Sequence, residues 1–490
     1  MVFRPHRESV GGTRHSFSLN NPFPSRWFHV VLSSFGHPTL TLVTLALEHA
    51  MMKRPAGRTI FWVSCYLVLA LGPLAVLFLA KLPPPRGFWI EFSAALGFIA
   101  LAMFALQFVL TARFKGIASP NGLDTILQFH REAGLVAVGF AFVHPAIMLV
   151  SAPPYIEFLD PRVMLGRAAM LIGVILATPA IAFFTLRRQQ LGTRYEIWRL
   201  SHGFTGLFVV VAGLIHVLEI DWYVSERWQR TLWIGLTAGA LLLLAHVRIV
   251  KPWLMWRQPY RVAEIREDGA RTWTLALEPV EHERLKFRPG QFAWLTLGPA
   301  PFSLQQHPFS FSSSAQENRR LEFTIRELGD FTSAIGRVKP GSKAFVEGPY
   351  GAFVPDLDRR SGLVLIAGGV GIAPMMSILR TLRDLGDKRP VTLIYGARNK
   401  DEAIFREELL VLKNQLALQI VFVLEERDPE FPSESGLIRG ELLERCIQPE
   451  SVDSEYFICG PPAMMDTVER YLNHRGIPHG RIHTERFDIA

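Results

Sequence analysis

Four histidines are placed in two apolar stretches of the sequence with matching spacing. The first stretch reads LQFHREAGLVAVGFAFVHP and carries His130 and His144; the second reads RLSHGFTGLFVVVAGLIHV and carries His202 and His216. Within each stretch the histidines are fourteen residues apart, which in an α-helix is close to four turns and about 21 Å of rise. The two histidines of one stretch therefore lie on one helix face at two depths.

Imidazoles at matched depths are suited to metal ligation. An ionisable side chain in a membrane span is costly and is seldom placed there without a partner, and neutral imidazole is a common axial ligand of haem iron. If the two helices run in the same direction, the pairs at each level are His130 with His202 and His144 with His216. Two b-type haems would then be stacked across the bilayer. A lone histidine could instead be a hydrogen-bonded packing residue. Copper or zinc is a third interpretation, although each level has two imidazoles and no evident cysteine or carboxylate.

Six apolar segments are long enough to hold these histidines in a hydrocarbon layer about 30 Å thick. They lie near residues 59–80, 88–110, 127–150, 163–185, 202–220 and 229–250. Lysines and arginines gather before the first segment, after the second, between the fourth and fifth, and after the sixth, whereas the other loops hold more Asp and Glu. By the positive-inside rule both chain ends are cytoplasmic, and the third and fifth spans run from inside to outside.

The composition indicates a membrane part joined to a soluble part. Of the 490 residues 49% are hydrophobic, and the mean hydropathy of +0.21 is high for a soluble protein but too low for a chain embedded throughout. The net charge of +8 is distributed over the ends of apolar runs, which argues against a nucleic-acid partner. The three cysteines form no CxxC pair and no iron–sulfur spacing. We interpret residues 1–58 as a basic cytoplasmic tail with a possible interfacial amphipathic helix, in preference to a seventh span.

The second half of the sequence has the pattern of two soluble domains. YRVAEIRE, TWTLALEP, QFAWLTLG and LEFTIREL alternate like the strands of a small antiparallel β-barrel, which we predict for residues 257–355. GLVLIAGGVGIAPMMSILRTL, VTLIYGAR, LQIVFVLEE and YFICGPP then alternate apolar strands with helices, which predicts a doubly wound α/β domain over 360–490. The expected fold class is a multidomain membrane protein, with an all-α six-helix transmembrane bundle (59–250) followed by these two domains.

Two motifs in the predicted barrel could hold a flavin nucleotide. In QQHPFSFSSS (305–314) a small hydroxyl and an aromatic ring could face a flavin, although a loop with a proline turn would also explain the string. In TIRELGDFTSAIGRVKPG, Arg326 precedes GDFT, which opens an apparent helix. A helix N-terminus beside a guanidinium group is a ready pyrophosphate site, although this motif alone is weak.

Three motifs in the predicted α/β domain could hold a dinucleotide. Between a strand and a helix lie Gly368, Gly369 and Gly371. There the backbone must approach a phosphate closely, and Pro374 takes the place of the last glycine of GxGxxG. Cys459, Gly460 and Pro461 end another strand, at the edge where α/β sheets bind ligands, although Cys459 could simply be a buried small residue. Arg398 could meet a ribose 2′-phosphate or be a solvated loop arginine, so NADPH is only slightly favoured over NADH.

Together these strings resemble the NADPH oxidase/ferric reductase superfamily over residues 59–490, and the soluble half resembles ferredoxin–NADP reductases. The combination is specific: four span histidines at fourteen-residue spacing, then HPFS, GDFT, GGVGIAP and CGPP in that order. The resemblance implies two haems held by the paired histidines, FAD on the barrel and NAD(P)H on the α/β domain. Soluble reductases carry Arg-x-Tyr-Ser/Thr where this chain has His-Pro-Phe-Ser, as the membrane members do.

The resemblance also implies roles for individual residues. The flavin would be bordered by His307, Pro308, Phe309 and Ser310, with the Ser310 hydroxyl near the reactive flavin nitrogen. The FAD pyrophosphate would be held by Arg326, Gly329 and Thr332. NAD(P)H would be bound by Gly368, Gly369, Gly371, Pro374, Arg398, Gly460 and Pro461. Cys459 would lie near the nicotinamide, and Phe487 would be the near-terminal aromatic residue that shields the flavin.

The implied activity is transmembrane electron transfer from cytosolic NAD(P)H through FAD and the two haems to an acceptor on the opposite side. Oxygen, reduced to superoxide, is the first expectation, and a ferric chelate or other metal is the alternative within the same superfamily. A non-catalytic haem relay or sensor subunit is an alternative of a different class. The expected location is a plasma membrane or bacterial inner membrane with the reductase domains in the cytoplasm. The motifs indicate neither protein partners nor an oligomeric state.

Overall fold

The computed structural model describes residues 56–79, 82–114, 122–188, 190–269, 271–359, 361–447 and 453–486. The tail predicted for residues 1–58 therefore lies outside the described residues up to position 55. The first helix begins at Ala56.

The described part of the chain contains six helices that are long and apolar enough to cross a membrane. They are α1 (Ala56–Leu77), α2 (Phe88–Thr111), α3 (Leu123–Ser151), α4 (Leu165–Leu186), α5 (Tyr195–Ile220) and α6 (Arg227–Ala245). Helix α6 continues through a π-helical turn (His246–Val250) into α7 (Lys251–Trp256). Of the span formed by α2, 39% is buried, whereas of the span formed by α4 only 6% is buried. Helix α2 is therefore the more central of the two, and α4 presents more apolar surface to its surroundings.

The next module is an antiparallel six-stranded sheet. Its strands are β1 (Tyr260–Gly269), β2 (Thr272–Pro279), β3 (Phe292–Leu297), β4 (His307–Ser310), β5 (Leu321–Arg326) and β6 (Lys343–Tyr350), in the order β4-β3-β6-β1-β2-β5. A bridge between Phe311 and Phe323 joins the two edges, just beyond β4 and within β5. The rings of Phe287, Phe311 and Phe323 lie in the apolar core of this antiparallel module. A four-residue helix, α8 (Asp330–Ser333), follows β5.

The last module is a parallel sheet covered by helices. Its strands are β7 (Leu363–Gly368), β8 (Val391–Ala397), β9 (Leu418–Leu424), β10 (Glu434–Ser435), β11 (Glu455–Cys459) and β12 (Ile482–Thr484), in the order β10-β9-β8-β7-β11-β12. Its helices are α9 (Ile372–Asp384), α10 (Arg406–Gln415), α11 (Gly440–Cys446) and α12 (Pro462–His474). Buried apolar side chains cover both faces of the central strand β7, as expected for a parallel sheet between helices.

A buried ionic cluster joins the antiparallel module to the helices. Glu347 of β6, 8% exposed, pairs with Arg113 just after α2 at 3.0 Å and with Lys251 at the start of α7 at 3.1 Å. The Tyr350 hydroxyl donates to the same carboxylate at 2.7 Å. Burial alone would raise the pKa of Glu347, but the charges of Arg113 and Lys251 outweigh burial and hold this pKa below its usual value. The cluster therefore fixes the sheet against one end of the bundle.

Candidate functional site

The structure brings the four span histidines together in two pairs. The near pair is His130 of α3 and His202 of α5, with ring centres 6.1 Å apart and planes at 59°. The far pair is His144 of α3 and His216 of α5, with ring centres 6.3 Å apart and planes at 61°. The near pair lies at the end of the bundle that contacts the antiparallel module. Because the histidines of each helix are fourteen residues apart, close to four helical turns, they lie on the sides of α3 and α5 that face each other.

The near pair is supported by side chains from α4 and α5. The Thr185 hydroxyl lies 3.2 Å from Nδ1 of His202 and accepts the indole N–H of Trp198 at 3.3 Å. The Trp198 ring also packs on His202, with ring centres 5.3 Å apart. Trp198 precedes His202 by one helical turn, so both project from the same face of α5. The ring of His202 is therefore held by a polar and an apolar contact at once.

The far pair is supported from α2. Nδ1 of His144 lies 2.8 Å from the backbone carbonyl oxygen of Ser93 and 3.0 Å from its hydroxyl, and that hydroxyl donates to the carbonyl of His144 at 2.7 Å. A carbonyl oxygen can only accept, so Nδ1 carries the proton and Nε2 keeps its lone pair. A side-chain methyl at Gly97 would come within 3.3 Å of the His144 ring. The glycine therefore makes room for the imidazole.

The donor set and its surroundings fit a haem at each level. The two imidazoles of each pair face each other with ring centres 6.1 and 6.3 Å apart, and imidazole is a common ligand of haem iron. A largely apolar cavity of about 560 Å³ adjoins the far pair, with Arg86 and Arg167 among its lining residues. Nδ1 of His130 and of His216 is buried without a hydrogen-bond partner among the described residues.

The HPFS motif forms β4 rather than a turn. His307, Pro308, Phe309 and Ser310 pair in register with β3, opposite Leu295, Trp294, Ala293 and Phe292. Ser310 is 6% exposed, and the Phe331 ring from the GDFT motif lies 4.4 Å from His307 and 6.1 Å from Phe309 between ring centres. Burial lowers the pKa of His307. The motif therefore offers an aromatic wall and a hydroxyl, which is a surface that suits a flavin ring.

Aromatic rings connect this wall to the near pair. His307 lies 6.2 Å from Tyr195 at the start of α5, and Tyr195 lies 5.6 Å from Trp198, measured between ring centres. Trp198 in turn packs on His202. The four rings form a continuous series from β4 to the near pair. We name this series the aromatic bridge.

The GDFT loop is closed by the Thr332 side chain. The Thr332 hydroxyl accepts the N–H groups of Leu328 and Gly329 at 2.8 and 2.9 Å and donates to the Gly329 carbonyl at 3.0 Å. Arg326, predicted to hold a pyrophosphate, pairs with Glu402 of the parallel module at 2.9 Å. Its guanidinium also lies within 3.4 Å of the position that a side-chain methyl on Gly369 would occupy. Arg326 is thus placed between the predicted FAD and NAD(P)H phosphate sites.

The glycines predicted to bind NAD(P)H occupy their positions in the parallel module for different structural reasons. Gly369 has a φ of +55°, which favours glycine, and it faces Arg326. At Gly368, Gly371 and Gly460 a side-chain methyl would come within 2.2 to 2.9 Å of the neighbouring strand end or of Pro461 and Met464. These three glycines permit the close packing of the ends of β7 and β11. Pro374 lies in the first turn of α9, where a missing N–H costs nothing.

The remaining predicted residues lie at the carboxyl ends of strands or beyond the described chain. Cys459 ends β11, is 4% exposed and packs in the core, and burial, with the charge of Glu485, raises the pKa of its thiol. The environment of Cys459 is thus that of a buried small residue, the alternative stated above. Arg398 follows β8, is 65% exposed and pairs with Glu426 at 2.8 Å. Phe487 lies outside the described residues.

Several residues near these sites were not singled out from the sequence. They are Ser93, Thr185, Tyr195, Trp198 and the cluster around Glu347. Only Trp198 carries a local signal, because it precedes a predicted ligand by one turn and falls on the same face. The others act through contacts between distant parts of the chain.

Comparison with known families identifies the modules. A family model described as a ferric reductase like transmembrane component matches residues 96–213, which include His130, His144 and His202. An FAD-binding domain matches residues 272–354, and an oxidoreductase NAD-binding domain matches residues 365–470. The chain belongs to the NADPH oxidase/ferric reductase superfamily. These matches and the observed sheets confirm the predicted family and fold class, and the modules are those of an NAD(P)H-dependent oxidoreductase.

Relatives of the superfamily's reductase half match only part of the chain. A sulfhydrogenase 2 gamma subunit from Pyrococcus furiosus is 32% identical over 237 residues, or 46% of this chain and 81% of that protein. A propane 2-monooxygenase reductase component from Mycolicibacterium goodii is 29% identical over 221 residues, and the match spans 44% of this chain and 63% of the relative's length. Among solved structures, the flavohemoglobin of Malassezia yamatoensis has a TM-score of 0.45 at 20% identity, covering 74% of this chain and 97% of that one.

Proposed function

We propose that the protein transfers electrons across a membrane, from NAD(P)H through FAD and two b-type haems to an acceptor at the far pair. The observation that carries the proposal is the pairing of four span histidines at two depths, with the aromatic bridge leading from the predicted flavin site to the near pair. Each NAD(P)H would yield NAD(P)⁺, one proton and two acceptor molecules, each reduced by one electron. The modules matched above support this order of cofactors.

The chain's own residues would bind and orient these groups. When bound, FAD supplies the change from two-electron to one-electron transfer, and the haems supply single-electron carriers. His130 and His202 would hold one haem, and His144 and His216 would hold the other. The wall formed by His307, Phe309 and Phe331 would support the flavin ring, with Ser310 beside it. Arg326 would hold phosphate, for which its ion pair with Glu402 must open or be shared.

The NAD(P)H site would lie where β7, β8 and β11 end. Gly369, with its positive φ, allows the backbone to approach a phosphate. Cys459 keeps a neutral thiol at this edge, because burial raises its pKa. Arg398 would meet a 2′-phosphate of NADPH, but Glu426 already neutralises it, and the same carboxylate could accept a ribose hydroxyl of NADH. Both nucleotides therefore belong in the assay.

Oxygen is the proposed acceptor, and a ferric chelate is the second candidate. His144 and His216 would hold the far haem, which would supply one electron to either acceptor. The second candidate is supported by Arg86 and Arg167, which are among the residues lining the cavity in which a haem held by His144 and His216 would lie. Cations at this position would attract an anionic chelate. By the positive-inside rule, the reductase side would be cytoplasmic.

The test uses the full chain in nanodiscs with haem and FAD. We expect a b-type reduced-minus-oxidised spectrum, together with NADPH or NADH consumption that depends on an acceptor. Oxygen and a ferric chelate are supplied separately, with and without superoxide dismutase, so that direct chelate reduction is distinguished from reduction by superoxide. A preparation that binds FAD but shows no b-type spectrum would contradict the two-haem proposal. A spectrum that is unchanged in both His144→Ala and His216→Ala variants would do so as well.

A further inference from the structure

The Thr185 hydroxyl lies where the near pair meets the aromatic bridge. Its oxygen has three polar neighbours: the backbone carbonyl of Ile181 at 2.6 Å, Nδ1 of His202 at 3.2 Å and Nε1 of Trp198 at 3.3 Å. Thr185 stands in the last turn of α4, whereas His202 and Trp198 belong to α5. One side chain thus links the two helices at the level of the near pair.

The direction of these three hydrogen bonds follows from donor chemistry. A hydroxyl has a single hydrogen, a carbonyl oxygen can only accept, and an indole N–H can only donate. Thr185 therefore gives its hydrogen to Ile181, at the shortest of the three distances, and accepts from Trp198. The third contact requires a hydrogen from His202. The proton is then on Nδ1 of His202, and the lone pair is on Nε2.

We propose that Thr185 is a positioning residue that holds His202 in the Nδ1–H tautomer and orients its ring together with Trp198. The proposal rests on the proposed function in so far as His202 is a haem ligand. A ligand imidazole that donates its second N–H becomes a stronger electron donor to the metal. The Thr185 contact would thus stabilise the oxidised near haem and set its potential. It would also hold Trp198 in the aromatic bridge.

The far pair provides an internal contrast. The proton on Nδ1 of His144 is accepted by the backbone carbonyl of Ser93, which no substitution removes. At the near pair, the equivalent acceptor is a side-chain hydroxyl. The tautomer of a ligand histidine can therefore be altered by a single substitution at the near pair, while the far pair keeps its backbone contact.

The variant is Thr185→Val, which replaces the hydroxyl with a methyl of similar size. Thr178→Val is the matched control, because Thr178 lies two turns earlier in α4, is buried, and donates to the Val174 carbonyl at 3.0 Å in the same way. Thr185→Ser keeps the hydroxyl and should rescue the effect. Thr185→Ala removes the hydroxyl without adding bulk, and it replaces Thr185→Val as the test variant if the valine variant does not fold.

The first measurement needs no haem. ¹⁵N-histidine NMR of the haem-free protein in nanodiscs reports which ring nitrogen is protonated, and the His202 signals are assigned by their loss in His202→Gln. We expect an Nδ1–H His202 in the wild type, in Thr178→Val and in Thr185→Ser, and loss of that preference in Thr185→Val or Thr185→Ala. A wild-type His202 protonated on Nε2 would overturn the proposal without any variant.

The second measurement is a redox titration of the haem-loaded protein. We expect the near haem of Thr185→Val to shift to a more positive potential while the far haem stays in place. A wild type that binds two haems, combined with a Thr185→Val variant that moves neither potential, overturns this inference alone. A wild type without a b-type spectrum overturns the proposed function instead, and the NMR result then still decides the tautomer.

Discussion

The near and far pairs have almost the same geometry but are held in different ways. Ring-centre separations of 6.1 and 6.3 Å and interplanar angles of 59° and 61° make the two levels close copies. Yet the oriented imidazole is His202 of α5 at the near level and His144 of α3 at the far level. His202 is oriented by a hydroxyl and an indole, and His144 by the backbone carbonyl and the hydroxyl of Ser93. A repeated ligand spacing therefore does not imply a repeated environment.

The surroundings of the two pairs differ as well. The near pair is joined to the antiparallel module by the aromatic bridge, and the ionic cluster around Glu347 holds that module against the same end of the bundle. The far pair adjoins the cavity lined by Arg86 and Arg167. Under the proposed function, the near level would receive electrons from the reductase modules and the far level would release them to the acceptor.

The largest expected effect comes from removing one ligand at each level. His202→Ala should remove the near haem and block haem reduction by NAD(P)H, because the bridge would then end at an empty site. His144→Ala should remove the far haem but leave the near haem reducible. In both variants we expect roughly half of the wild-type haem, since bis-imidazole ligation needs both partners. Haem content by pyridine haemochrome and anaerobic NAD(P)H-driven absorbance changes provide the measurements.

The control for these variants is flavin reduction by NAD(P)H, which should proceed at the wild-type rate in both. The comparison of the two levels would be reversed if His144→Ala blocked haem reduction while His202→Ala left the remaining haem reducible. Equal behaviour of the two variants would show that the levels do not act in series.

The next effect concerns docking at the near end. Glu347→Gln leaves Arg113 and Lys251 without their buried counter-charge, a change that costs about 3–5 kcal/mol when one partner of a buried pair is removed. We expect slower electron delivery from flavin to the near pair, with unchanged flavin reduction by NAD(P)H. Stopped-flow absorbance at flavin and haem wavelengths separates the two steps. Glu283→Gln is the control, because Glu283 is 90% exposed and lies in the same module.

The acid sensitivity of docking follows from the pKa of Glu347. This pKa is held below its usual value, so the carboxylate contributes stability above the unfolded-state pKa, and the contribution is lost as the pH falls through the lower, folded value. Docking should therefore be insensitive to pH above about 5 and weaken only below the normal glutamate range near pH 4.3. The groups that face Glu347 are Arg113, Lys251 and Tyr350. An acid transition of the same size in Glu347→Gln would argue against Glu347 as its cause.

The sequence predicted the pairing of the histidines because that pairing depends on one regular quantity, the helical repeat. Two stretches with identical spacing and the same direction must present their imidazoles at equal depths. The strands around β7 were equally readable, since buried parallel strands appear as short apolar runs between glycine turns. The position of HPFS was less clear: a proline within a four-residue string is compatible with a turn, and only pairing with β3 makes it a strand.

The differences between the two levels could not be read from the sequence. Thr185 reaches His202 from another helix, and Glu347 meets Arg113 and Lys251 from positions about one hundred or more residues away. Each is an ordinary residue in its local string. Gly368 and Gly371 were interpreted as phosphate contacts and Gly460 as part of the NAD(P)H site, whereas in the structure their lack of a side chain is first required by the close approach of the chain where the parallel strands β7 and β11 end. The roles of these residues are therefore determined by contacts between distant parts of the chain, which the local sequence pattern does not reveal.

The smallest expected effect comes from a substitution that perturbs the far pair alone and leaves all four histidines in place. In Gly97→Ala the new methyl would lie 3.3 Å from three ring atoms of His144, so the imidazole must yield by a few tenths of an ångström. Overpacking of this kind costs about 1–3 kcal/mol when the site cannot relax. We expect full haem content, a shifted spectrum and potential at the far level, and an unchanged near level. Gly139→Ala in α3 is the matched control, because no atom lies within 4 Å of its added methyl. A change at the near pair in Gly97→Ala would mean that the two levels are coupled through α3 rather than held separately.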